Sequence, residues 1–106
     1  MINYQSDVCT DRFIISIEGH AGAAPEGCDI VCSAASILAL TLVGAVERLD
    51  AEGDMTHVSS SVSKGSVQLD FTVKERALEK VSAIVDTVTD GYLMLEENYP
   101  EFVSVG

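Results

Sequence analysis

The chain has 106 residues, 47% of them hydrophobic, with 17 acids against 6 bases and a net charge of −11. That size fits a single domain, residues 1–106, around one core, and the composition excludes a disordered chain. The negative field repels nucleic acid, and Lys64, Lys74, Arg76 and Lys80 are interleaved with acids rather than gathered in a patch, so no direct nucleic-acid binding is expected and a basic protein or peptide is the partner that such a charge attracts.

The first residues, MINYQSDVCTDR, lack a basic region followed by an apolar one, so no signal peptide is expected. Residues 2–8 and 12–18 read as two strands around a turn at 9–11. The second, RFIISIE, alternates, with Phe13, Ile15 and Ile17 on one face. Gly19, Gly22, Pro25 and Gly27 punctuate a loop over residues 19–28. Asp29 then reads as an N-cap for a helix running to about Asp50. Ile30, Val31, Ala34, Leu38, Leu42, Val46 and Leu49 have helical spacing, while Ile37, Leu40 and Val43 add apolar character on other faces. A helix apolar nearly all round is expected to be central and buried. Its longest apolar stretch, about residues 34–46, is short for a membrane span and contains Ser36, Thr41 and Gly44, so no membrane association is expected.

Residues 51–56 read as a connection, with Gly53 as a stop. Residues 57–63 and 66–73 flank Lys64-Gly65 and read as a hairpin, with Val67, Leu69, Phe71 and Val73 strictly alternating. A second helix is predicted over about residues 74–98, where Leu78, Val81, Val85, Val88, Tyr92 and Leu95 form an amphipathic stripe. Pro100 ends it, and residues 102–105 give a last short strand. The order ββαββαβ, with hairpins instead of parallel crossovers, predicts an α+β fold with a mainly antiparallel sheet and two packed helices.

Chemistry concentrates in residues 19–36, GHAGAAPEGCDIVCSAAS. Nucleophilic cysteine catalysis needs a thiolate, a base beside it and donors for an oxyanion, and a helix N-terminus favours the thiolate while offering unpaired N–H groups. Cys32 falls in the first turn of the predicted helix. His20 ends the preceding strand, and the loop between them can bring imidazole to sulfur. As an N-cap, Asp29 would accept the Cys32 N–H and compete with that role. Two other readings stay open: Cys32 as a small buried core residue, and Cys28, Cys32 and His20 as part of a soft metal site needing Cys9 or a carboxylate as fourth ligand. The three cysteines make a poor disulfide framework and suit a reducing compartment, the cytoplasm.

Gly19-His20-Ala21, Gly27 and Asp29-Ile30-Val31-Cys32 with Ala34 and Ser36 resemble the signature of the ribosomal-processing cysteine proteases, the Prp family. The segment Glu97-Asn98-Tyr99-Pro100-Glu101-Phe102 is similar to that family's C-terminal end, so the likeness covers essentially the whole chain. The resemblance implies a cytoplasmic homodimeric endopeptidase that trims an N-terminal extension from a large-subunit ribosomal protein, a basic substrate. It implies His20 and Cys32 as the catalytic dyad, Asp29, Ser36 and Gly27 as support for the site, and no metal or other cofactor. Residues 21–27, joining the two dyad residues, are expected to close over the peptide. The sequence departs from the family pattern at Cys28, where a long polar or basic residue is expected, at Ser33, where alanine is usual, and in Ala23-Ala24-Pro25-Glu26, which lacks an aromatic residue. The competing reading is a non-catalytic binding or ribosome-assembly module that keeps the fold.

Overall fold

The computed structural model describes residues 1–19 and 28–106, and of residues 28 and 29 the backbone alone. Elements follow in the order β1 (Ile2–Cys9), β2 (Arg12–Glu18), α1 (Cys28–Ala51), β3 (Met55–Ser63), β4 (Ser66–Val73), a 3-10 turn (Glu75–Ala77), α2 (Leu78–Asn98) and β5 (Val103–Val105). The predicted ββαββαβ order and α+β class are therefore observed. One five-stranded sheet has the order β3-β4-β2-β1-β5. Every pairing is antiparallel except β1 with β5, where Ile2 faces Val103.

Alternation decides which face is covered. Ile2, Tyr4, Phe13, Ile15, Ile17, Val67, Leu69, Phe71 and Val73 are buried, while Asn3, Gln5, Arg12, Ile14 and Glu18 between them are exposed. Both helices thus cover one face of the sheet and leave the other in water. Phe13 and Phe71, opposite each other in the β2–β4 register, stack at 5.1 Å. The Ser63–Ser66 hairpin closes over Lys64-Gly65 as predicted, with Gly65 at a positive φ of 78°, which glycine adopts without strain.

Three expectations are corrected. The first helix is not buried all round. Val31, Ala35, Ala39, Leu42, Val43, Val46 and Leu49 face the sheet and α2, but Ile30, Ile37 and Leu40 stay 65%, 63% and 54% exposed. Among the described residues nothing lies above the helices of this two-layer fold, so an apolar outer face remains in view. The apolar stretch is also longer than expected: Ile30–Ala51 has the length and hydropathy to cross a membrane, although its inner face is core.

The second helix begins later than predicted. Lys74 is extended because its N–H donates to the Asp54 carbonyl at 2.9 Å, and the chain turns through Glu75–Ala77 before α2 begins. Third, β3 starts at Met55, not His57, through an irregularity at Thr56 that shifts the pairing between Met55 and His57 and hides the alternation.

Candidate active site

Cys32 lies where the first turns of α1 pass over the end of the sheet. The helix starts at Cys28, one residue before the expected cap, so Asp29 falls inside its first turn, with its side chain outside the described residues. Cys32 is then the fifth helical residue, and its N–H meets the carbonyl four residues back, at Cys28. The Cys32 N–H is thus engaged within the helix. The anion-binding potential then lies with the amides of residues 28–31, which have no carbonyl within α1 to bond. Cys32 is a free thiol, partly buried against the core, and Cys9 is free and exposed at the β1–β2 turn, away from the site.

Beside Cys32 opens a cleft of about 370 Å³. One wall is α1, through Cys32, Ser36 and Leu40; the other is the β3–β4 hairpin, through Val62 and Lys64; Ile2 and Ile17 contribute from the sheet. Most of this surface is apolar, with Ser63, Lys64 and Ser66 lining it from the hairpin. The sequence-predicted Ser36 is therefore beside Cys32 on the cleft wall, one helical turn on. His20, Gly27 and the proposed closing loop lie outside the described residues, as do the side chains of Cys28 and Asp29. Among the described residues no cluster of three histidine, cysteine or acidic side chains could hold a metal ion.

The end of β2 is fixed with little freedom. The Gly19 N–H donates to the Gly65 carbonyl at 2.9 Å, tying the strand to the hairpin turn that forms the opposite wall. Gly19 has φ of +111°, and a Cβ there would land on the backbone carbonyl oxygen of Met1. Glycine is thus required twice over, by conformation and by close approach. The residue that follows is His20, so the chain leaves the sheet beside the cleft that holds Cys32.

The hairpin wall was not legible as part of a site. Residues 62–67 read as strand and turn, and only the tertiary fold sets them opposite α1. Asp54 was missed as well. Among the described residues it is the buried charge, bonded by Lys80 Nζ at 2.9 Å and Arg76 Nη2 at 3.4 Å. The Lys80 hydrogen bond, opposed in part by desolvation, holds its carboxyl below the usual range. It braces the α1–β3 corner, away from the cleft.

Comparison with known proteins agrees with this geometry. Residues 1–104 match the family described as cysteine protease Prp. The fold is similar to the crystal structure of SMU.848 from Streptococcus mutans, with a TM-score of 0.70 and 29% identity over 99% of this chain and 91% of that one. It is also similar to two crystal structures of an essential ribosomal processing protease Prp from S. aureus, one with a covalently linked product peptide and one with a substrate peptide. Each of these gives a TM-score of 0.67 and 21% identity over 100% of this chain and 98% of the other, a likeness of fold. No curated protein matches. With a free cysteine lining an apolar cleft and a family match over residues 1–104, the chain belongs to the cysteine protease Prp family.

Proposed function

We propose that this protein is a cytoplasmic cysteine endopeptidase that removes an N-terminal extension from a large-subunit ribosomal protein, with Cys32 as nucleophile and His20 as its base. The observation that carries the reading is the placement of the free Cys32 on the wall of a mostly apolar cleft, in a chain of a cysteine protease family. In the S. aureus structures the family fold is found with substrate and product peptides.

The chemistry follows from the residue types. The Cys32 thiolate attacks the scissile carbonyl carbon, and the carbonyl electrons move onto oxygen, which N–H donors of the first turn of α1 can stabilise. The oxyanion collapses, the C–N bond breaks, and His20 gives its proton to the departing amine. Water then attacks the thioester, His20 takes its proton, and Cys32 leaves as the thiolate. Gly27 and Asp29 are assigned to support of the site by the family motif alone, and Ser36 also by its place on the cleft wall. No metal or cofactor is needed for these steps.

The cleft wall suits an apolar side chain next to the cleaved bond, and a chain of net charge −11 favours a basic substrate. The same charge disfavours direct contact with nucleic acid. The exposed Ile30 and Ile37 of α1, with Met94 of α2 at 63% exposure, are assigned to a homodimer contact with a second copy.

The test is incubation with the host's own large-subunit ribosomal proteins, read by intact mass. One of them should lose an N-terminal segment with the wild-type protein and remain whole with Cys32→Ala. Equal cleavage by both would overturn the assignment. No cleavage of any ribosomal protein, with retained binding to one of them, would favour the assembly-module reading.

A further inference from the structure

The helix that carries Cys32 is seated unevenly. Its C-terminal half buries Leu42, Val43, Val46 and Leu49, whereas among the described residues its N-terminal half buries Val31, Ala35 and Ala39, with Cys32 and Leu38 partly buried. Small side chains remove little apolar area from water and interlock weakly, so packing alone fixes the rotation of this half less firmly.

A directional contact acts at that place. Tyr92 of α2 is fully buried, and its hydroxyl donates to the Ala35 carbonyl at 2.7 Å. Ala35 stands between Cys32 and Ser36 in the chain, and all three line the cleft. Tyr92 is itself held from the sheet side. Its ring stacks on Tyr4 at 4.5 Å, and Tyr4 shares a 2.6 Å hydrogen bond with Thr89 Oγ1. Thr89 donates to the Val85 carbonyl, so Tyr4 is the donor in that bond. Next to Tyr92, Gly91 lets the helices close up: a Cβ there would come within 2.7 Å of Leu38 Cδ2. The Ala35 carbonyl also faces the Ala39 N–H of its own helix, so the phenol is not required to satisfy it. Desolvation raises the Tyr92 pKa, which keeps the phenol protonated and a donor.

We propose that Tyr92 is a positioning residue for Cys32: its hydroxyl, bonded to the Ala35 carbonyl, sets the rotation and axial position of the first turns of α1 and thereby aims Sγ into the cleft. This rests on Cys32 being the nucleophile. Misplacement of a reacting atom by about 1 Å can cost on the order of 100-fold in rate, so a small rotation suffices.

The test is Tyr92→Phe, which keeps the ring and removes the hydroxyl, set beside Tyr4→Phe, which removes a partner hydroxyl and leaves the Tyr92–Ala35 bond in place. Three quantities are measured: kcat and KM on a peptide spanning the extension of the host ribosomal protein, the rate of iodoacetamide alkylation at Cys32 against pH, and amide exchange along α1. Tyr92→Phe should lower kcat about 5- to 50-fold with KM within about twofold. Its amide exchange should rise in residues 31–39 and not in 42–49, and its alkylation profile should change. Tyr4→Phe should keep kcat within about twofold even where its melting temperature falls as far. Wild-type kcat in Tyr92→Phe, or exchange raised evenly along α1, would overturn the proposal. So would a Tyr92→Phe protein that does not fold, because the hydroxyl would then carry stability and not placement. If the wild-type protein cleaves no peptide, the protease reading fails separately, and the exchange contrast still decides whether Tyr92 sets the helix.

Discussion

Replacing Gly19 by alanine perturbs the point where β2 hands the chain to His20. Two costs add. An L-residue at φ of +111° is strained by about 1–2 kcal/mol. The new Cβ must also displace the Met1 carbonyl, which is backbone and cannot rotate aside as a side chain would. Forcing atoms into a packed site costs about 1–3 kcal/mol more. Met1 precedes Ile2, whose N–H donates to the Phe102 carbonyl at 2.7 Å, so the shift would disturb the β1–β5 edge as well.

Gly53 provides the control. Its φ is +83°, yet a Cβ there meets only Arg76 Nη2, at 3.7 Å. Gly53→Ala should therefore show the strain alone, about 1–2 kcal/mol, or roughly 4–12 °C in melting temperature. Gly19→Ala should fall about twice as far, roughly 10–25 °C, and should lose most peptide cleavage at temperatures where it is still folded. Calorimetry and a cleavage assay at 20 °C measure both. If Gly19→Ala melts no lower than Gly53→Ala and cleaves normally, the close approach at Met1 is not a constraint on the site.

Asp54 makes the acid limb of stability testable. Its carboxyl is held low in the folded protein by Lys80 first and Arg76 second, so its contribution is complete above the unfolded pKa and disappears as pH falls through the folded one. Wild-type stability should drop as pH falls below about 4, and Asp54→Asn should flatten that part of the profile while lowering stability at pH 7; parallel profiles would refute the role. Ile37→Lys should convert a dimer into a folded monomer in light scattering, because Ile37 is 63% exposed in one copy and plays no part in its core; a wild-type monomer at micromolar concentration would refute the dimer. Cys28→Ser should keep most cleavage activity, since the proposed chemistry uses only Cys32; loss of activity together with stoichiometric zinc would favour the metal site instead.

What the sequence made legible was local. Strict alternation in Val67, Leu69, Phe71 and Val73 marks a strand that the fold buries on one side. Lys64-Gly65 marks its hairpin, and the stripe through Val81, Val85, Val88 and Tyr92 marks the buried face of α2. The features that escaped depend on contacts between distant residues. Lys74 stays out of α2 because of a hydrogen bond to Asp54, twenty residues earlier in the chain. The outer face of α1 is exposed because only two layers form, and apolar side chains all round a helix do not reveal how many layers surround it. The motif located Cys32 and Ser36 on one surface, but the opposite wall at Val62 and Lys64 comes from tertiary packing. Likewise Tyr92 is legible as a core aromatic, while its hydroxyl contact with Ala35, 57 residues away, is not.

The central claim is that Cys32 is a reactive nucleophile directed at peptides in the cleft. The most direct measurement is labelling with a peptide chloromethyl ketone built on the residues preceding the cleavage site, followed by mass mapping over the three cysteines. Thioether formation should saturate with reagent, occur on Cys32 and not on the exposed Cys9 or on Cys28, slow by an order of magnitude or more in His20→Ala, and abolish cleavage in proportion to the label. Label distributed over all three thiols at the rate of the unfolded chain, with cleavage unaffected, would contradict the account.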